Sequence, residues 1–189
     1  MTKLDRYDEA TAPEGSLPLI ERSRKAFGRL PGLHSVMAGS PALLEGYQVL
    51  HRLFAEATAF DAEEKTVVWQ TINVYHSCHY CVPAHTGIAK MMGVSDEIST
   101  ALRDETPLPS EKLEALRTFT LAMVESRGNP TDEELQAFYD AGYGQRQVLD
   151  VILGIAQKVM SNYTNHIAET PVDAPMQKFA WTKAGAKAA

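Results

Sequence analysis

The chain has 189 residues, 44% of them hydrophobic and 22% charged, with a net charge of −6, enough for a single domain with a sizeable core. No basic block or Lys/Arg stripe marks it as a partner for nucleic acid or anionic membrane. Apolar runs such as "VLDVILGIA" fall well short of the ~20 residues a membrane span needs, and the polar start "MTKLDRYDEATAPEGS" has no apolar signal region, so the cytoplasm is the expected compartment.

Residues 1–14 read as a loosely ordered end. The first strong helix signal is "SPALLEGYQVLHRLFAEA", with Ser40 as N-cap and Pro41 in the first helical position. Leu43, Leu44, Tyr47, Leu50 and Phe54 form its core stripe, and His51 flanks that stripe. "DAEEKTVVWQTINVYHSC" opens with Asp61 and Glu64 at capping-box spacing and buries Val67, Val68, Ile72 and Tyr75. A helix from about His79 to Met92 follows and stops at Gly93. "SDEISTALRD" is short, and Pro107 and Pro109 separate it from "SEKLEALRTFTLAMVESRG", capped by Ser110 and ended by Gly128. Thr131 and Glu134 make a second capping box in "TDEELQAFYDAG", which stops at Gly142.

The last helix, "QRQVLDVILGIAQKVMSNYTNHIAET", is apolar on much of its circumference and is expected to be central. It echoes the Val/Ile-rich helix at 61–78, since each runs into a polar stretch containing His. The Ala/Lys tail, 182–189, reads as loosely ordered. The expected architecture is all-α, about seven helices in one domain over residues 1–189.

The chemistry concentrates in "HSCHYCVPAHTG", which holds the only two cysteines. On a helix, a step of about 100° per residue puts Cys78, Cys81 and His85 on one face. Pro83 is tolerated only in a first turn, so the helix begins near residues 79–82, with Cys78 at its edge and Cys81 in its first turn. Unpaired N–H groups there favour a thiolate, and His85 is one turn away as a proton acceptor. Three readings compete. A zinc site would need four ligands, with His76 or His79 as the fourth. Two inert buried thiols are the plain alternative. A redox-active dithiol fits the spacing, the downstream His and the helix start together.

"CHYCVPAHTGIAKMMG", preceded by "EEKTVVWQTINVYHS", resembles the core motif of the AhpD-like (alkylhydroperoxidase D/carboxymuconolactone decarboxylase) superfamily, in particular its peroxidase-related branch. "SPALLEGYQVL" and "NYTNHIAETPVD" extend the resemblance over roughly residues 35–175. It implies an all-helical fold, a homo-oligomer and thiol-dependent peroxide reduction. By the resemblance, Cys81 is the attacking thiol, Cys78 the resolving thiol, His85 the proton-relay histidine and His79 a second histidine between the cysteines. Chemistry alone leaves the attacking sulfur open, because the N-terminal cysteine of a Cys-x-x-Cys pair is often the nucleophile. Where AhpD has a relay glutamate, twelve residues before the first cysteine, this chain has Thr66; Glu63, one turn earlier, is the local carboxylate that could substitute.

Outside this stretch, His166 with Asn162 and Asn165 reads as a polar cluster or helix-end cap, and Trp69 and Tyr75 read as packing residues. No phosphate loop, Rossmann pattern or Ser/His/Asp grouping appears, so no cofactor is expected. The leading expectation is a peroxidase cycling Cys78 and Cys81 between dithiol and disulfide, with a small-molecule peroxide as substrate and a thiol or dithiol as electron donor. The alternatives are a decarboxylase-type lyase of the same superfamily and a non-enzymatic redox-sensing or metal-binding module.

Overall fold

The computed structural model describes residues 3–183. Among these there are no strands, and nine α-helices follow one another: α1 (Leu17–Phe27), α2 (Gly32–Met37), α3 (Pro41–Ala57), α4 (Ala62–Tyr75), α5 (Cys81–Met91), α6 (Asp96–Asp104), α7 (Glu111–Glu125), α8 (Asp132–Asp140) and α9 (Gln145–Ala168). Short 3₁₀ turns, Glu14–Ser16 and Ala174–Phe179, precede α1 and follow α9. The all-α expectation holds, and the seven helices read from the sequence correspond to α3–α9. None of the helices is long and apolar enough to cross a membrane.

The expected start signals operate as hydrogen bonds. Ser40 and Ser110 accept from the N–H groups of Leu43 and Leu113, and the Asp61–Glu64 and Thr131–Glu134 capping boxes are closed in both directions. Helix α4 is the hub, packed by α5, α6, α7 and α9 and buried from Thr66 to Val74. With α7 it builds the larger apolar core, where Val67, Val68 and Ile72 meet Leu116, Phe119 and Phe138. Each such side chain contributes about 1.5–3 kcal/mol through burial. A second cluster brings Leu19, Ile20, Met37, Leu44 and Tyr47 against Cys78, Tyr80 and Cys81.

Helices α1 and α2 are additions to the sequence reading. Pro18 in the first turn and left-handed Gly28 at the C-cap bound α1. Helix α2 is six residues, all buried, so no amphipathic period marks it. The N-terminal segment, expected to be loose, is pinned to α2. The Tyr7 N–H donates to the Ser35 carbonyl at 2.9 Å, and the Ser35 hydroxyl donates to the Tyr7 carbonyl at 2.7 Å. The Tyr7 ring fills the space where a side chain at Gly39 would sit. At the other end, residues 182 and 183 are non-helical, and 184–189 lie outside the described residues.

Candidate active site

Helix α4 ends at Tyr75, three residues earlier than the sequence reading placed its end, because Ser77 adopts a left-handed φ of 55°. The N–H of Ser77 donates to the Val74 carbonyl and that of Cys78 to the Asn73 carbonyl, each at 2.9 Å, a Schellman-type closure with serine where glycine is usual. That turn delivers Cys78 to the start of α5, where its sulfur accepts the Cys81 N–H at 3.3 Å. Pro83 falls in the first turn of α5, as its missing N–H requires.

A buried polar row on α4 holds this junction. Gln70 Nε2 donates to the Val82 carbonyl and to Thr86 Oγ1, both at 3.1 Å, and Asn73 Nδ2 donates to Gln70 Oε1 at 3.1 Å. Thr66, at the relay-glutamate position, turns its hydroxyl back to the Ala62 carbonyl. Both cysteines are free thiols, Cys78 fully buried and Cys81 2% exposed.

Helix α9 supplies what the motif alone does not show. Asn165 Nδ2 donates to Cys81 Sγ at 3.2 Å, and Asn162 Nδ2 donates to Asn73 Oδ1 at 3.0 Å. Lys158, fully buried, places Nζ 2.9 Å from His85 Nε2. An ammonium can only donate, so Nε2 accepts and the imidazole proton sits on Nδ1, which has no partner among the described residues. Burial, the Lys158 charge and His51 hold His85 well below its usual pKa, so it is neutral. Trp69 packs against the His85 ring at 4.9 Å and donates its N–H to Gln157 Oε1.

The two sulfurs are pulled apart in acidity. Burial opposes a Cys81 thiolate, but the hydrogen bond with Cys78, the Lys158 charge and the amides of Asn165 and Asn162 outweigh it and lower its pKa. Cys78 is pushed up by its hydrogen bond to Cys81 and by burial. Lys158 is drawn below the usual ammonium range by burial, while the cysteines push it back up. These directions favour a Cys81 thiolate beside a Lys158 ammonium, with the proton kept on Cys78.

Cys81, His85 and Lys158 face a cavity of about 90 Å³ whose walls include Leu33, Tyr47 and Met176; Cys78 is not among its lining residues. At its rim Arg29 pairs with Asp173 at 2.8 Å, and Tyr80 Oη donates to Asp173 Oδ2 at 2.6 Å. His51, expected to flank the core, stacks on Trp69 at 5.5 Å and lines the same cavity.

Of the residues singled out in the sequence, Cys78 meets Cys81, and Cys81 shares the cavity wall with His85, whose ring bonds Lys158. His79 is exposed, and its ring bonds the Thr170 carbonyl at 3.1 Å, outside the thiol pair. His76 bonds Asn162 Oδ1 at 2.9 Å. Among the described residues no three His, Cys, Asp or Glu side chains converge as a metal site. Glu63 is exposed in the first turn of α4 and makes no bond to the site among the described residues. It lies seven residues, or about 10 Å of helix, before Gln70. The partner of His85 is a cation from α9, not a carboxylate from α4. Asn162 and Asn165 point inward, whereas His166 is exposed, so the three do not form one cluster.

No family model and no curated protein matches this chain. Solved structures do. A protein from Ralstonia eutropha JMP134, described as an alkylhydroperoxidase AhpD core and uncharacterized peroxidase-related protein, superposes with a TM-score of 0.81 at 15% identity, covering 93% of this chain and 94% of that one. An uncharacterized peroxidase-related protein from Silicibacter sp. TM1040 gives 0.77 at 15% identity, with 93% of each chain covered. The debrominase Bmp8, in a Cys-to-Ala variant holding 2,3,4-tribromopyrrole, gives 0.77 at 18% identity, with 94% and 95% covered. The fold is thus AhpD-like.

Proposed function

We propose that this AhpD-like fold carries a thiol-dependent peroxidase in which Cys81 attacks and Cys78 resolves. The observation that supports this reading is a Cys81 sulfur facing an apolar cavity while Asn165 and Lys158 stabilise its charge. The Cys81 thiolate attacks an oxygen of R–O–O–H, the O–O bond breaks, and a sulfenic acid forms on sulfur. The leaving alkoxide takes a proton from Lys158. The Cys78 thiol then attacks the sulfenic sulfur, forming the disulfide and releasing water. An external dithiol supplies two electrons to restore both thiols, and Lys158 regains its proton from Cys81. In this scheme His85 is a positioning residue, holding Lys158 through Nε2.

The test is peroxide consumption with dithiothreitol as reductant. Cys81→Ser is expected at the uncatalysed rate, and Cys78→Ser, treated with one equivalent of peroxide in the absence of added thiol, is expected to stop as a Cys81 sulfenic acid with no intramolecular disulfide. Equal rates for wild type and Cys81→Ser would overturn the reading.

The aromatic and aliphatic lining of the cavity favours one second reading, reductive dehalogenation of an aromatic ring. Here a C–Br bond is replaced by C–H, bromide leaves, and the dithiol becomes the disulfide. Bromide release from 2,3,4-tribromopyrrole that requires Cys81, with peroxide consumption at background, would favour this second chemistry.

A further inference from the structure

Lys158 is an unusual residue to bury. Its side chain is fully enclosed in the middle of α9, and His85 Nε2 is its one hydrogen-bond partner among the described residues. No carboxylate forms an ion pair with it among the described residues. The charge that offsets its own is the Cys81 thiolate. A buried ammonium without a compensating anion gives up its proton more readily than it stays charged.

The groups around Lys158 leave no substitute anion. His85 on α5 is neutral, and His51 on α3 is held to a low pKa of about 4 by burial and by Lys158. Tyr47 on α3 is pushed up by burial and stays protonated. On α4, Trp69, Gln70 and Asn73 carry no charge, and Asp173 at the rim is already bonded to Arg29, Tyr80 and the Gly32 N–H. Forming a Cys78–Cys81 disulfide therefore removes the single anion beside Lys158. The cavity that admits substrate to Cys81 is lined by Lys158 as well.

We propose that the disulfide form of this protein presents Lys158 as a neutral amine that condenses with small aldehydes or ketones in the cavity, a second, redox-gated reactivity that rests on the dithiol/disulfide cycle above. The lysine nitrogen adds to the carbonyl carbon, the oxygen leaves as water, and a C=N bond forms; no electrons are exchanged. The dithiol form has the amine protonated and closed to this chemistry. Lysines desolvated in apolar pockets are the nucleophiles of imine-forming sites for the same physical reason.

The experiment uses butanal with cyanoborohydride, which reduces the imine to a stable secondary amine, followed by peptide mapping by mass spectrometry. Three proteins are compared at pH 7: dithiol wild type, peroxide-treated wild type, and Cys78→Ser/Cys81→Ser, in which no thiolate can form. Peroxide-treated wild type and the double variant are expected to label Lys158 at least tenfold faster than exposed Lys90, with the Lys158 rate nearly flat from pH 7 to 9. The dithiol form is expected to label Lys158 at least tenfold more slowly. If the double variant labels Lys158 but peroxide-treated wild type does not, the disulfide cycle fails while the amine chemistry stands. If neither labels Lys158 faster than Lys90, the proposal is overturned. The pH profile guards against an unfolded double variant, because an exposed lysine reacts faster as pH rises.

Discussion

Helices α7 and α9 both pack on α4, yet they bury opposite kinds of side chain. Helix α7 turns Leu113, Leu116, Phe119 and Met123 inward and leaves Glu111, Lys112 and Glu125 in water. Helix α9 buries Gln157, Lys158, Ser161, Asn162 and Asn165 and exposes Leu149, Ile152, Tyr163 and Ile167. One interface gains free energy from water leaving apolar surface. The other encloses polar groups at a cost that only matched hydrogen bonds offset. Stability and thiol chemistry therefore sit on different faces of the same hub helix, and substitutions on the two sides should separate them.

The largest expected effect lies on the α7 side. Phe119 is 2% exposed and stacks on Phe138 with ring centroids 4.1 Å apart. Phe119→Ala should cost about 3–5 kcal/mol of unfolding free energy, read from urea denaturation, while iodoacetamide alkylation of Cys81 in the folded protein stays within about twofold. A comparable loss of thiol reactivity would break the separation. On the α9 side the main effect falls on the thiol. Lys158→Met keeps the side-chain volume but removes one partner of the buried thiolate–ammonium pair, and Cys81 avoids the cost of an unpaired buried charge by taking up a proton. The substitution should therefore show in the alkylation pH profile. In wild type the lowered Cys81 pKa keeps the thiolate at neutral pH, and reactivity is lost as pH falls through that pKa. Without the ammonium, the same loss should occur about 1–3 pH units higher. A midpoint that does not move would show that Lys158 leaves the thiolate unaffected.

What the sequence revealed follows the same division. Helices α3 to α9 announce themselves because their caps are local chemistry: Ser40 with Pro41, Asp61 with Glu64, Thr131 with Glu134. Helix α2 does not, because a segment buried on every side shows no period. Cys78, Cys81 and His85 were legible from their spacings of three and four residues, about two helix turns in all. Lys158, Asn162 and Asn165 were not, because their partners lie 73 to 89 residues away in the chain. One signal was available. Lys158, Ser161, Asn162 and Asn165 recur at helical spacing and define one polar face. The equally apolar outer face of α9 disguised it, since a polar stripe in an apolar helix reads as the solvent side unless something else places it inside.

The smallest expected effect sharpens the comparison from the α4 side. Glu63 matches by sequence the turn where a relay carboxylate would be needed, but it is exposed at the N-terminal end of α4, ahead of the inward row of Thr66, Gln70 and Asn73. A carboxylate in a first helical turn interacts favourably with the helix dipole, by about 0.3–1 kcal/mol. Glu63→Gln should therefore lower stability by no more than that and leave the peroxide consumption rate within about twofold of wild type. A tenfold loss with unchanged stability would require the first turn of α4 to reach His85 during turnover. The proton would then travel along α4, and the buried cation of α9 would lose the role assigned to it. If the rate holds, Glu63 takes no part in the proton transfer, and Lys158 stands as the donor of the proposed scheme.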